Sequence, residues 1–373
     1  MRSVNIITRH AIVNYGSILQ AKATEAFFVS LGFNSQTIDY IADAEKVSNR
    51  IKDFSLNVGL KGIKKVLYQI VKFPDEIIKE KKFNKYRKKY LNLSKRYTSL
   101  EELKKEDFAD VYLCAGSDQL WGYMAYNQVD PAYFLDFGSE KNKYFSFSAS
   151  LGRTDFDEEY YRSLNEYLKK FSFITVREQS GVSLIEQYTP YKAEHVLDPT
   201  LIMGREFWHS FADKKIKEKP YILLYQLRRN KKIDRYVKEL AKKKGLRVIR
   251  VSTSVYDYLR FGKKKILKAP DYVLSLFRGA QCVVTDSFHA TVFSLVFNRK
   301  FIDFLPPTTH ERISDLLEVV GLSDRTATWT EKDFEIIDNE IDWQRVNAVL
   351  EEKRKESCEI VKRGLAALEN EEE

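Results

Sequence analysis

Cysteine is sparse in this chain: Cys114, Cys282 and Cys358 are widely separated, and no Cys-x-x-Cys pair occurs. That spacing argues against a disulfide framework or a structural zinc site and fits a reducing compartment. The five histidines (His10, His195, His209, His289 and His310) are scattered singly, so the sequence offers no metal-ligand cluster. No Gly-x-Gly-x-x-Gly follows a strand signal, and no Gly-x-x-x-x-Gly-Lys-Ser/Thr loop or Gly-x-Ser-x-Gly elbow appears. Dinucleotide, P-loop and nucleophile-elbow chemistry therefore lack support. No run approaches the roughly 20 apolar residues of a membrane-spanning helix. The opening stretch, Met1 to Ile7, is a strand signal too short in apolar residues for a signal peptide. Zinc-finger, RNA-recognition and helix-turn-helix patterns are missing as well, which removes nucleic acid from the expected partners. The expectation is a cytoplasmic protein without a cofactor, in which nothing in the sequence demands a metal.

What the chain does have is length, aromatic side chains and one concentration of charge. At 373 residues two domains are expected. The 22 Tyr and 24 Phe suit a sugar-binding cleft as well as packed cores. Residues 61–106 hold 15 Lys/Arg against 6 Asp/Glu, a surplus equal to the whole chain's +9. Lys79, Lys81, Lys82, Lys85, Arg87, Lys88 and Lys89 stand there among Phe83, Tyr86, Tyr90 and Leu91 at helical spacing. Such a helix either presents a solvated face or docks on an anionic membrane.

Strand signals alternate with helical ones, the mark of parallel sheets covered by helices. Val4–Ile7, 37–40, Val111–Ala115, 144–148, 174–176 and 194–197 read as strands of a first half. Tyr221–Tyr225, 247–251, a strand from Cys282 and 301–302 read as those of a second. Ser17 with Gln20 forms a capping box for a helix over 18–31, and residues 43–106 read as helical with a break at Pro74. The expected fold class is α/β, two Rossmann-like domains facing a cleft. The N-terminal domain spans 1–200 and the C-terminal one 215–330, with the polar stretch 212–220 as hinge. A helical extension over 331–373 packs back.

The most informative segment is Cys282 to Phe293, a buried strand running through Thr285-Asp286-Ser287 into a helix. His289 falls in the first turn of that helix, at the carboxyl end of a strand, where ligands bind in open α/β sheets. Free N–H groups and the positive helix end suit an anion there. The residue-level alternative is a capping Ser287 or Asp286 beside a merely polar histidine.

Several segments in order resemble the polysaccharide pyruvyl transferase family: Asn14-Tyr15-Gly16-Ser17-Ile18-Leu19-Gln20-Ala21, Gly116-Ser117-Asp118-Gln119-Leu120-Trp121, Tyr133-Phe134-Leu135-Asp136-Phe137 and Val176-Arg177-Glu178-Gln179-Ser180-Gly181. Val196-Leu197-Asp198-Pro199-Thr200, Thr285-Asp286-Ser287-Phe288-His289-Ala290-Thr291 and Arg312 with Leu316-Leu317 and Gly321-Leu322 complete the series. The resemblance implies a GT-B-like protein that moves the pyruvyl group of phosphoenolpyruvate onto a sugar hydroxyl pair of a capsular or exopolysaccharide. Phosphoenolpyruvate is then a donor substrate, and the acceptor a glycan or lipid-linked oligosaccharide.

On this reading His289 is general acid or phosphate ligand. Asp286 caps the helix or orients His289. Arg177 grips the donor carboxylate or phosphate, or pairs with Glu178 as a structural arginine. Some family branches carry arginine where Ser287 stands, so Arg312 or Arg278 supplies the missing charge in the donor site with Ser287. Asn14, Tyr15, Gly16, Gln119 and Trp121 meet the acceptor, with Trp121 or Tyr123 stacking on the ring. Asp118 takes a proton from the sugar hydroxyl or orders its loop. The rival enzyme reading is a nucleotide-sugar glycosyltransferase, and the rival of another class is a non-catalytic glycan- or membrane-binding protein. If the acceptor is lipid-linked, the basic 61–106 segment holds the protein at the anionic inner face of the membrane.

Overall fold

The computed structural model describes residues 2–57, 61–108, 111–124, 128–214, 218–306 and 310–370. The chain divides into two compact units, residues 1–202 with 354–373 and residues 203–353. The 212–220 stretch read as a hinge falls partly outside the described residues.

The first unit carries strands β1 (Ser3–Ile7), β2 (Asn34–Tyr40), β3 (Leu93–Tyr97), β4 (Val111–Ala115) and β5 (Lys143–Ser146) in one parallel sheet of order β3-β2-β1-β4-β5. The short pair β6 (Thr175–Val176) and β7 (Glu194–His195) continues beside β5 through bridges at Phe145–Phe173 and Ala149–Val176. Its helices are α1 (Tyr15–Ser30), α2 (Val47–Asn57), α3 (Gly62–Tyr90), α4 (Leu100–Lys104), α5 (Glu158–Leu168), α6 (Gln179–Tyr188) and α7 (Pro199–Ile202).

In the second unit, β8 (Tyr221–Tyr225), β9 (Arg247–Ser252), β10 (Lys263–Ile266), β11 (Cys282–Thr285) and β12 (Lys300–Asp303) repeat the plan as β10-β9-β8-β11-β12, again all parallel. Helices α8 (Gly204–Phe211), α9 (Lys231–Lys244), α10 (Pro270–Gly279), α11 (Phe288–Val296), α12 (Glu311–Val319) and α13 (Asp333–Ile336) cover it. The last helix, α14 (Trp343–Asn370), binds the first unit through its later turns: Ser357 Oγ accepts from Leu197 N–H at 3.0 Å, and Arg354 Nε donates to the Leu201 carbonyl at 2.6 Å.

Both sheets thus have the doubly wound order, and each reverses between its first and fourth strand. That reversal opens a crevice at the carboxyl edge where loops from β1 and β4, or β8 and β11, diverge. Central strands are buried on both faces, which is why Tyr-Ile-Leu-Leu-Tyr and Cys-Val-Val-Thr read as unbroken apolar runs. The edge strands Leu-Ser-Lys-Arg-Tyr and Lys-Lys-Lys-Ile do not. Their lysines blunt open sheet edges and hide the strands from a pattern search.

Three local expectations are corrected. Helix α1 starts at Tyr15, capped by Asn14, whose Oδ1 accepts from Gly16 N–H at 2.8 Å. Ser17 and Gln20 form no capping box: Ser17 donates to Asp118 at 2.9 Å and Gln20 to the Thr8 hydroxyl at 2.7 Å. Helix α3 also runs through Pro74 without stopping.

Trp121 is completely buried, stacked on Phe134 at 5.5 Å and edge-on to Phe171, with its Nε1 donating to the Tyr133 carbonyl at 3.1 Å. Trp121→Ala should therefore cost about 3–5 kcal/mol of stability, seen as a lower urea midpoint. An unchanged midpoint would contradict this placement.

Candidate functional site

At the carboxyl edge of the first unit, the loops after β4, β6 and β7 converge on Arg177. Its side chain is 0% exposed. Its guanidinium donates to Asp198 at 2.8 Å, Glu178 at 3.1 Å, Ser117 Oγ at 3.4 Å and Asp118 at 3.5 Å. Burial opposes the charge, yet Glu178, Asp198 and Asp118 outweigh it and hold the guanidinium above its ordinary value. A buried cation shared by three carboxylates is held in place by them, and removing it leaves their charges uncompensated. Arg177 is thus the hub of a buried ion-pair network with Glu178, Asp198 and Asp118.

Asp118 belongs to the same network. One oxygen accepts from Ser17 Oγ, and the other from Gln119 N–H at 2.8 Å and from Arg177. Its backbone sits at φ 86°, the left-handed region that L residues other than Asn and Asp seldom adopt. Both oxygens are engaged and the side chain is buried, so Asp118 orders its loop. Tyr15 is also core, its ring 5.1 Å from that of Phe83. Gly16 is buried in the first turn of α1, and Trp121 lies in the hydrophobic core, so neither these two nor Tyr15 offers a surface for a sugar ring. Asn14 spends its side-chain oxygen on the α1 cap. Gln119 is half-buried, with Nε2 3.4 Å from the Gly152 carbonyl.

The second unit presents a different arrangement. Asp286 follows β11, and its two oxygens accept the N–H groups of Leu227 (2.7 Å) and Arg228 (3.2 Å) from the loop after β8. It thereby ties together the two loops that flank the sheet reversal. Burial raises its carboxyl above the ordinary range, and the two N–H donors pull it partly back. The expectation that Asp286 caps the helix is corrected. The N-cap residue of α11 is Ser287, whose side chain makes no capping hydrogen bond and whose N–H donates to Thr285 Oγ1 at 3.0 Å.

His289 follows in the first turn of α11, 6% exposed, with its ring edge-on to Phe288 at 5.2 Å. Arg312, in the first turn of α12, lies over the other ring partner: its guanidinium carbon is 5.6 Å from the Phe288 centroid. The fold thus gathers Asp286, Ser287, His289 and Arg312 at one helix N-terminus. Arg278 is not among them. It ends α10 at the opposite edge of the sheet and donates to the Asp213 carbonyl at 2.9 Å, so its expected compensating role is corrected. The basic residue missed from the sequence is Arg228, exposed in the loop that Asp286 anchors. A basic pair, Arg228-Arg229, directly after a central strand was the available signal.

Asp303 underlies this edge from the end of β12, fully buried and accepting the Thr291 hydroxyl at 2.8 and 2.9 Å. Burial lifts its carboxyl well above the ordinary range; Thr291 opposes the shift and the Asp286 charge adds to it. The folded value lies above the unfolded one of about 3.9, so the folded chain binds the extra proton. The contribution of Asp303 to stability is complete below about pH 3.9 and lost as pH rises towards the raised value. Asp303→Asn should remove that loss while keeping an acceptor for Thr291. Urea midpoints should match wild type in acid and exceed it at neutral pH; parallel pH profiles would contradict the assignment. Among the described residues no group of three His, Cys, Asp or Glu side chains is placed to hold a metal ion.

The profile of the polysaccharide pyruvyl transferase family matches residues 14–306, from the cap of α1 to just beyond β12. The chain belongs to the polysaccharide pyruvyl transferase family. Membership makes it a transferase of polysaccharide biosynthesis with a glycan acceptor. No curated protein matches it significantly. Among solved structures, the UDP-N-acetylglucosamine 2-epimerase of Rickettsia bellii is 14% identical with a TM-score of 0.51, over 98% of this chain and 96% of that one. The UDP-GlcNAc 2-epimerase of Methanocaldococcus jannaschii, in complex with UDP-GlcNAc and UDP, is 14% identical with a TM-score of 0.47, over 98% and 100%. The Rickettsia likeness establishes a shared two-unit α/β fold for this pyruvyl transferase family member, and nothing about its ligand. Within the described residues, no helix is long and apolar enough to cross a membrane.

Proposed function

We propose that this chain transfers the pyruvyl group of phosphoenolpyruvate onto two hydroxyls of one sugar, forming a cyclic ketal in capsular or exopolysaccharide assembly. The observation that carries the reading is the cluster of Ser287, His289 and Arg312 at the N-terminus of α11, beside the sheet reversal, in a member of this family. Phosphoenolpyruvate brings a phosphate and a carboxylate. Backbone N–H groups of the first α11 turn and the Ser287 hydroxyl suit the phosphate. Arg312 and Arg228 supply the positive charge that Ser287 lacks.

In the reaction, the methylene carbon takes a proton and becomes a methyl group, leaving cationic character at C2. One sugar hydroxyl attacks there and gives up its proton. A second hydroxyl then displaces phosphate, and its proton leaves with or through the phosphate. His289 serves as the acid for the methylene or for the departing phosphate. No cofactor or metal enters this scheme. The basic 61–106 segment is proposed to keep the protein at an anionic membrane surface, near a lipid-linked acceptor.

The test is turnover by the full chain with phosphoenolpyruvate and a panel of lipid-linked or synthetic glycosides. Stoichiometric phosphate release and an acid-labile ketal are expected. Sugar transfer from a nucleotide sugar, with phosphoenolpyruvate inert, would replace this reading by that of a glycosyltransferase.

A further inference from the structure

Helix α3 is 29 residues long, about 43 Å at 1.5 Å per residue. Its inward face is short and specific: Asp75, Phe83, Tyr86 and Arg87 are buried. Its outward face changes chemistry halfway along. In the first half Ile63, Leu67 and Ile70 are 85%, 62% and 63% exposed, and Val66, Val71 and Phe73 are exposed beside them. At 100° per residue these side chains, with Ile78, form one continuous stripe. From residue 81 onward the same stripe is occupied by Lys81, Lys82, Lys85, Lys88 and Lys89, all exposed.

The helix has three acidic residues, and none lies on this stripe. Each is also already ion-paired: Asp75 with Lys79 at 2.9 Å, Glu76 with Lys79 at 2.5 Å and Arg50 at 3.6 Å, and Glu80 with Arg50 at 3.0 Å and with Arg87. A solvated helix face has no reason to expose seven large apolar side chains along one stripe. A purely electrostatic face has no use for them.

We infer that the outer face of α3 is a bilayer-docking surface, in which the 63–78 stripe enters the acyl-headgroup boundary while the five lysines lie on anionic headgroups. Apolar burial and attraction to anionic lipid are the two contributions that hold an interfacial helix. Here they are segregated along one helix rather than around it. The inference deepens the peripheral contact proposed above by naming its occupant and its apolar half, and it is independent of the donor chemistry.

Vesicle flotation of the full chain, without donor or acceptor, tests it and leaves the transferase reading untouched whichever way it falls. The probes are phosphatidylcholine vesicles and equimolar phosphatidylcholine–phosphatidylglycerol vesicles, each at low and high salt. Wild type should partition onto the anionic vesicles about tenfold or more better than onto the neutral ones. Exchanging Lys81, Lys82, Lys85 and Lys88 for Gln should abolish that preference. The Ile63→Ser, Leu67→Ser, Ile70→Ser variant should still be recruited at low salt but be stripped completely by high salt, where wild type is partly retained. All these positions are exposed, so unchanged thermal midpoints should certify the fold.

Wild type that ignores both vesicles would overturn the inference. So would a serine variant that behaves as wild type. Concentration-dependent self-association of wild type that the serine variant loses, with no vesicle difference, would assign the face to a second copy of the chain instead.

Discussion

Arg177→Ala should destabilise the first unit by about 3–5 kcal/mol, the largest single-residue effect expected outside the aromatic core. The variant removes the buried counter-ion that Asp118, Glu178 and Asp198 share. Arg177→Lys should recover only part of the loss, because one ammonium cannot match a guanidinium that spreads donors over three carboxylates. Unfolding is best followed through Trp121, which is buried in the same unit. Had Arg177 been a donor ligand, the alanine variant would keep its unfolding midpoint and lose affinity for phosphoenolpyruvate. That pattern would assign Arg177 to the donor site.

His289→Gln should lower the rate of phosphate release by about a hundredfold to ten-thousandfold, the usual contribution of a positioned acid. Glutamine is the informative replacement. Every residue of α11 is buried, so alanine would add a cavity to the chemical defect. The readout is kcat with the unfolding midpoint held as a control. Full activity in the glutamine variant would remove His289 from the chemistry and leave it as a polar residue in a helix turn.

The architecture was legible because parallel strands buried on both faces leave long apolar runs, and Tyr221–Tyr225 and Val111–Ala115 are read to the residue. The strands that escaped, Leu93–Tyr97 and Lys263–Ile266, are edges, where protection against pairing demands the lysines that erase a strand signal. In the candidate site, the segment around His289 stood out because a strand, a polar break and a helix occur there in fewer than fifteen residues. Partnerships across the chain were not legible. Nothing local to Val-Arg-Glu announces that Arg177 meets Asp118, 59 residues away, and Asp198, 21 residues away. Nor does Thr-Asp-Ser reveal that Asp286 reaches back to Leu227 and Arg228 rather than capping its own helix. Aromatic residues misled for a related reason: Trp121 follows a loop motif yet turns inward onto Phe134.

The central claim is that the N-terminus of α11 takes phosphoenolpyruvate. Calorimetric titration of the full chain with phosphoenolpyruvate, in parallel with UDP-N-acetylglucosamine, tests it most directly. Wild type should bind phosphoenolpyruvate, Arg312→Ala should bind it at least about tenfold more weakly, and neither should respond to the nucleotide sugar. Binding of the nucleotide sugar alone, or phosphoenolpyruvate binding indifferent to Arg312→Ala and His289→Gln, would contradict the account.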